Sequence, residues 1–598
     1  MRTLSLLAVL LLPLPAIAQP PTATPGNRLA YLNELDPYYP HTKFPKLITP
    51  QWVGEADVEA VVILAIDDMK DPKKYEAFLR PILNRLKKID GRAPVSIMTC
   101  SVDPKEPQLQ VWLKEGLSLE VHTVDHPCPY FKLGFEKAKD TYDRGVDLLH
   151  AVPDNTPVCF RMPCCDSMNT PSPRHWAEIF NKTTTKKNYL SLDSSVFTVF
   201  TSADPELPRE LVLEDGKERF KKYLPTDRDF VNWIENYPYP YLIGKNCWEF
   251  PCMTPSDWQA QHLHKPNNPI TLSDWKAALD CTVIKKGVFS MVFHPHGWIK
   301  AEQIVEFIDH AEKKHGKKVK FLTFKEAHDR LQKAIFRGSE WRGCADSVFL
   351  LDINNDGYLD ILDLRPRKNK TYLWDPAASH WKVLTMPDNT LGSIFMLSDY
   401  VFGVLQKNGY ASYTYRHGSL PMSEVGHIDQ GVRHFDGTKW VTDKNLRDVF
   451  REDQAAKYPE PRHLVDLDGN GTCAMIDATG KVYGFEPGKD WQPLGFSLPA
   501  NAMSGVRFLD LTGQGKLDLV FSNEKAFGVY RFKDMKTGWA KVRAGKPGDP
   551  NAIPMITRNG TNNGCWIHSG HLWWANEDTH LLKNHVDRRA FKELLEVK

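Results

Sequence analysis

Beyond its first twenty residues the chain has no apolar run long enough to cross a bilayer, so no membrane span is expected in the body of the protein. It also lacks an excess of either charge. The formal net charge is only +2 over 598 residues, and with no basic stripe to follow a phosphate backbone, nucleic acid is not an expected partner. None of the eleven cysteines falls in the paired C-x-x-C spacing of a zinc knuckle. Eight of them (Cys100, Cys128, Cys159, Cys164, Cys165, Cys247, Cys252 and Cys281) crowd into the first half, a distribution that suits disulfides better than a cysteine metal site. The odd total leaves at least one thiol unpaired within a chain.

What is present begins with residues 1–18, which read as a secretory signal peptide. Arg2 supplies the positive start, Leu4 to Ile17 are largely apolar, and Ala16-Ile17-Ala18 offers small residues for cleavage. A membrane anchor is the weaker alternative, because the apolar run is short and holds two prolines. The mature protein is expected to be soluble and exported, secreted or periplasmic. Its length exceeds one hydrophobic core and implies two or three domains.

Residues 19–57 form an irregular lead-in rich in Pro and Tyr, and a regular rhythm follows over 58–337. The continuous apolar run Val61 to Ile66 suits a strand covered on both faces. Strands are then expected at Ser96 to Cys100, Leu117 to Thr123, Val158 to Arg161, Tyr189 to Asp193, Val288 to Phe293 and Lys318 to Leu322. Helical periodicity falls between them, at Tyr75 to Lys88, Gln108 to Lys114, Phe135 to Leu149, Pro173 to Phe180, Ala301 to Lys313 and Lys325 to Leu331. This alternation implies parallel βαβ units, about seven of them, and hence an α/β barrel whose chemistry sits at the carboxyl ends of its strands. Asp67, Asp68, His122, Arg161, Asp193 and His294 all fall at or just past such ends. The stretch from about 200 to 270 shows no clear period and reads as a loop insertion.

From 338 to 598 the texture becomes all-β. Asp352-Ile-Asn354-Asn-Asp356-Gly-Tyr-Leu-Asp360 places oxygen ligands at alternate positions and a glycine at the turn, as a calcium loop requires. Weaker copies begin at Asp466, where Ala474 replaces the last acid, and at Asp510. An aromatic cluster followed by a polar turn and a Trp also recurs, with Trp381, Trp440, Trp491 and Trp539 closing the copies. Such recurrence indicates a β-propeller or related array. The loops resemble FG-GAP repeats, a resemblance that implies bound Ca²⁺ and contact with carbohydrate or a cell surface; structural turns holding no ion are the alternative.

In the first half, Asp67-Asp68, His122-Thr-Val-Asp-His126, Arg161-Met-Pro163, Leu192-Asp193-Ser-Ser and Met291-Val-Phe-His294 follow one another in an order that resembles the polysaccharide deacetylase family. The resemblance implies a distorted (β/α)₇ barrel and removal of N- or O-acetyl groups from an acetylated polysaccharide. It further implies that Asp68, His122 and His126 hold Zn²⁺ or another divalent transition metal, three protein ligands with an open position being the pattern of a catalytic site. Asp67 would be the general base, Arg161 its partner favouring the ionised form, and His294 the general acid oriented by Asp193. The backbone N–H near Cys164 would join an oxyanion hole. The chain departs from the family pattern at Met69, at Cys164-Cys165, and in having only Phe197 as an aromatic close to Asp193, positions that line the sugar rather than the metal. His296, two residues after His294, competes with it for the acid role. The alternatives to a deacetylase are a related amidase acting on a non-sugar C–N bond, and an inactive barrel serving a carbohydrate-binding or adhesion protein.

Overall fold

The structure, a computed structural model, describes residues 25–596 apart from 34–38, 168–171, 226–231, 245, 340–345, 366–367, 386–394, 420–426, 444–447, 452–459 and 583. The expected leader lies outside the described residues, as does Cys344.

The N-terminal half is built around β1 (Ala60–Met69), whose residues through Ile66 are wholly removed from solvent. Helix α1 (Pro72–Asp90) follows. The Asp71 carboxylate caps its first turn by accepting from the N–H groups of Lys73 and Lys74, and Gly91 ends it in a left-handed turn. Its buried stripe, Tyr75, Leu79, Ile82, Leu83 and Leu86, has the spacing of one helical face. The pattern repeats through β2 (Val95–Thr99), α2 (Pro107–Glu115), β3 (Ser118–Val121), α3 (Phe135–His150) and β4 (Cys159–Phe160), each strand parallel to the last.

The next segment is broken into β5 (Leu192–Asp193) and β6 (Phe197–Val199). The insertion after it carries α4 (Arg209–Val212), the hairpin β7 (Leu213–Glu214) and β8 (Lys217–Glu218), then β9 (Trp233–Glu235) and β10 (Tyr241–Ile243). It leads into β11 (Cys247–Glu249), β12 (Cys252–Met253), α5 (Asp257–His264) and α6 (Pro269–Lys285). The half closes with β13 (Val288–Phe293), α7 (Ala301–His315), β14 (Val319–Phe321) and α8 (Phe324–Ile335). The stretch expected to be a loop insertion therefore ends in helix α5. Helix α6, just beyond it, carries no amphipathic stripe because residues on most of its faces, Asp274, Trp275, Ala278 and Cys281 among them, are buried.

The sheet order is β10-β11-β5-β4-β3-β2-β1-β13-β12-β6-β9, with β14 beside the start of β1. Leu192 pairs with both Cys159 and Trp248, and Cys252 with both Phe197 and Ser290, so the broken segment and its 247–253 neighbour sit at both ends of this order. The result is a mixed, mainly parallel α/β half-barrel.

After α8 the chain forms small antiparallel sheets in succession, over 348–385, 395–451, 461–497 and 507–545, then a strand pair and a three-stranded sheet. The recurrent aromatics meet as one ring pair in each of the first four. The centroids of Trp374 and Trp381 are 5.1 Å apart, of Phe435 and Trp440 5.6 Å, of Phe485 and Trp491 5.4 Å, and of Phe532 and Trp539 5.6 Å. Residues 25–33 of the expected lead-in form two short 3-10 turns and pack into this C-terminal half. Leu29 is completely buried in a cluster with Phe349, Leu351, Phe402 and Tyr413.

Of the described cysteines, Cys128 and Cys164 form a disulfide, while Cys100, Cys159, Cys165, Cys252 and Cys281 are buried free thiols. The expectation of several bridges is thus corrected. Cys159, Cys247 and Cys252 lie within strands of one sheet, where they behave as small apolar residues.

Candidate metal centre

β1 ends on Asp67 and Asp68, where its register against β2 shifts between Ile66 and Met69 and Asp68 takes φ = 69°. Such an irregularity re-aims side chains that would otherwise alternate across the sheet. Thr123, His126 and Cys164 are also left-handed, at φ = 58°, 52° and 54°. Each such residue costs about 1–3 kcal/mol and persists only where the surroundings over-determine it. Here the Thr123 hydroxyl accepts from the His126 N–H at 3.2 Å, and the Cys128–Cys164 bridge ties the histidine loop to the Arg161-Met-Pro-Cys turn.

His122 follows β3 and gives its Nδ1 proton to the Arg161 carbonyl at 2.8 Å, which fixes the tautomer and leaves the Nε2 lone pair facing inward. Nε2 of His122 lies 3.2 Å, and Nε2 of His126 2.7 Å, from Asp68 Oδ1. Oδ1 is nonetheless a buried oxygen with no hydrogen-bond donor aligned on it among the described residues. Lone pairs that converge without a proton between them are the arrangement a cation resolves, and the N₂O donor set suits a divalent transition metal. Burial alone would raise the Asp68 pKa, but the hydrogen bond from His296 and the charge on His294 favour its ionised form.

A second cluster, Asp280, His310 and His315, joins α6 to α7 and differs in that detail. Both ring nitrogens are aligned hydrogen-bond partners of Asp280 Oδ1, at 3.1 and 2.7 Å, and Lys314 takes Oδ2 at 2.7 Å. That is a satisfied polar clamp between two helices. Among the described residues, these are the two groups with metal-ligand spacing.

Around Asp68 the remaining groups divide into two pairs. Asp67 accepts from Arg161 Nη1 at 2.7 Å. Arg161 is fully buried and spends its other donors on Ser194 O, Ser194 Oγ and Ser290 Oγ at 2.8, 3.1 and 3.2 Å. His294 projects from the end of β13 with Nε2 3.9 Å from Asp68 Oδ2. Its Nδ1 bonds Asp257 Oδ1 at 2.7 Å, and its backbone N–H donates to Asp257 Oδ2 at 2.8 Å. Burial opposes charge on this ring, yet Asp257 lifts its pKa to about 10. Trp298 packs against His294 and His296 with ring centroids 4.9 and 5.0 Å away.

The expected partner of His294, Asp193, is corrected by these contacts. It accepts from Ser195 Oγ at 2.8 Å and shares a buried carboxyl pair with Glu249, its neighbour across β5 and β11. Burial raises the Asp193 pKa to about 6 and pushes that of Glu249 well above the carboxylate range. Among the described residues Asp193 Oδ2 and Glu249 Oε2 have no other partner, so one proton held between them satisfies both. Sequence reasoning missed Asp257, although Ser256-Asp-Trp-Gln259 is a capping box with its reciprocal bonds formed, the mark of a helix start. It also missed Asp166, a buried carboxyl bonded by Ser256 Oγ at 2.6 Å and raised by burial to about pKa 6, electrostatically coupled to His294 and Asp257.

In the C-terminal half the first acid of each loop bonds its own backbone. Asp352 accepts from the N–H groups of Asp356 and Gly357, Asp466 from Asn470 and Gly471, and Asp510 from Gln514 and Gly515. The last acid, Asp360, staples Ile353 and Trp374, as Asp518 staples Phe532. Asp356 accepts from Asn354 Nδ2 at 2.9 Å, whereas Asn354 Oδ1 is buried and has no partner among the described residues.

No protein-family model matches the chain, and no curated protein does. Among solved structures, the N-terminal half matches polysaccharide deacetylases. The peptidoglycan deacetylase PdaC of Bacillus subtilis is 16% identical over 47% of this chain and 97% of its own, with a TM-score of 0.26. The catalytic domain of a peptidoglycan N-acetylglucosamine deacetylase from Eubacterium rectale is 12% identical over 46% and 94%, with a TM-score of 0.24. A family 4 carbohydrate esterase from Streptomyces lividans is 10% identical over 44% and 90%, with a TM-score of 0.23.

Proposed function

We propose that the protein is a metal-dependent hydrolase that removes acetyl groups from a polysaccharide outside the cytoplasm. The observation that carries this is the convergence of Asp68, His122 and His126 on one point, with a buried Asp67–Arg161 pair and a buried His294–Asp257 pair beside it. The strand pairings that return from β13 to β4 through the broken segment support a distorted seven-stranded barrel holding these groups at one end.

A divalent ion held by Asp68, His122 and His126 supplies Lewis acidity to an acyl carbonyl and acidifies water. The chain's own groups do the rest. Asp67, fixed by Arg161, takes the proton of the attacking water. His294, kept charged by Asp257, gives its Nε2 proton to the departing amine or alkoxide. Acetate release from chitin oligomers, peptidoglycan and acetylxylan, each with and without a chelator, tests the assignment. Activity on one of them that the chelator abolishes supports it. Hydrolysis of an amide with no acetate released would turn it toward the amidase, and no zinc uptake toward a binding protein.

The C-terminal sheets fit a propeller-type glycan-contact domain with Ca²⁺ in the 352–360 loop. Asn354 Oδ1 and the acids Asp352 and Asp360, whose pKa values burial raises, support that site.

A further inference from the structure

His296 stands outside the roles assigned above, yet it is the group that holds the far side of the Asp68 carboxylate. Its Nε2 is 3.0 Å from Asp68 Oδ2, and its Nδ1 is 3.1 Å from Lys74 Nζ. An ammonium has only protons to give. Nδ1 is therefore the acceptor toward Lys74, the ring's proton is on Nε2, and Nε2–H is donated to Oδ2. Among the described residues this is the one hydrogen bond the Asp68 carboxylate accepts, Oδ1 having no aligned donor. The ring is itself placed by its surroundings. It follows His294 and Pro295 at the end of β13, lies 5.5 Å from the His294 ring at an interplanar angle of 22°, and meets the Trp298 edge.

The requirement it meets is specific. A carboxylate on a left-handed backbone at a strand irregularity has two oxygens to present, and Oδ1 must face both Nε2 atoms. Anchoring Oδ2 from the opposite side selects that rotamer. We infer that His296, with Lys74 behind it, is a positioning residue of the metal centre that fixes the Asp68 carboxylate for the cation, and that it is not the general acid. The inference rests on the metal-centre assignment above. Groups that orient a ligand in this way typically contribute about 10–100-fold to metal affinity.

The test is a zinc titration of the full-length protein against a competing chelator, with acetate release measured at limiting and at raised zinc. Wild type is expected to take up one tight equivalent. His296→Ala should bind about 10–100-fold more weakly, and its activity at limiting zinc should fall in proportion and recover as zinc is raised. His296→Gln, whose amide N–H can reach Oδ2 from the same distance along the side chain, should return affinity to within a few-fold. Lys74→Met, which removes only the tautomer bias, should fall between. Wild-type affinity in His296→Ala would overturn the inference. Loss of the whole equivalent with no rescue by Gln would also overturn it, by making His296 a ligand. A rate that stays collapsed at saturating zinc would overturn it as well, by making His296 the acid. A wild-type chain that takes up no zinc would instead remove the metal centre itself, which separates that failure from one confined to His296.

Discussion

Asp257 and Asp193 are both buried carboxyls of the N-terminal half, yet only Asp257 bonds an imidazole. Their substitutions should therefore separate cleanly. Asp257→Asn removes the charge that keeps His294 protonated and should lower the rate about 10²–10⁴-fold. Because the acid works only while protonated, and Asp257 lifts His294 to about 10, the variant should also lose activity at lower pH than wild type. Asp193→Asn should leave the rate within a few-fold, and a collapse there equal to that of Asp257→Asn would restore Asp193 as the orienting group. Asp67→Asn should keep the metal and abolish turnover, measured as one bound zinc with no acetate released; retained turnover would defeat the base assignment. Asp67, Asp68, His122, Arg161 and His294 were legible as candidates in the sequence because each sits at or just past a strand end, and His126 through its spacing from His122. Asp257 was not, since it comes from a helix start in an aperiodic stretch, and linear order cannot show which carboxyl a folded imidazole will meet.

A helix with one buried face announces itself in sequence, as does a strand whose whole apolar run is buried, whereas a helix buried on several faces does not. The α1 stripe and the β1 apolar run match their expected positions closely, as does β13 over Val288–Phe293, whereas α6 has no stripe to read. The broken β5–β6 segment was legible only to Asp193, because it departs from regular pairing where Glu249 of β11 accepts from the N–H groups of Ser195 and Val196 at 3.1 and 3.0 Å. That junction makes a stability prediction. Asp193 and Glu249 both have folded-state pKa values raised above their ordinary ones, so the folded chain holds protons that the unfolded chain releases. Their contribution is complete below the ordinary carboxylate pKa of about 4 and is lost as pH rises through about 6 and beyond. Glu249→Gln keeps the acceptor for Ser195 and Val196 and supplies a permanent N–H donor to Asp193. It should stabilise the protein at pH 8 by about 1–2 kcal/mol and flatten the decline of the melting midpoint between pH 5 and 8. An unchanged pH slope would remove the shared proton.

At the scale of the whole molecule, the first described residues belong with the C-terminal sheets. Residues 25–33 cross the C-terminal sheets before the half-barrel begins. Arg28 donates to the carbonyls of Gly409 and Asp352, Asn27 exchanges two bonds with Asp466, and Asn33 bonds Phe402 in both directions. Further on, Lys46 forms a parallel bridge with Tyr358 at the end of the 352–360 loop, and Gln51 bonds Leu359. The lead-in is thus a strap from the base of β1 to the acid loops, a role invisible in a sequence stretch with neither period nor motif. The strap should contribute to the C-terminal half without touching the chemistry. Leu29→Ala empties a fully buried site and should cost about 2–5 kcal/mol, lowering the midpoint at which the C-terminal tryptophans become exposed. Acetate release measured well below that midpoint should stay within twofold, because Leu29 packs in the C-terminal core and not among the groups around Asp68. Ca²⁺ should raise the same midpoint in wild type but not in Asp352→Asn, since Asp352 both receives Arg28 and heads the loop that the strap closes. If Leu29→Ala melts like wild type, the first residues of the strap are dispensable, and the two halves rely on their other contacts, among them the shared core of Val61 and Ile63 with Val348 and Ile361 and the Arg174–Glu577 ion pair.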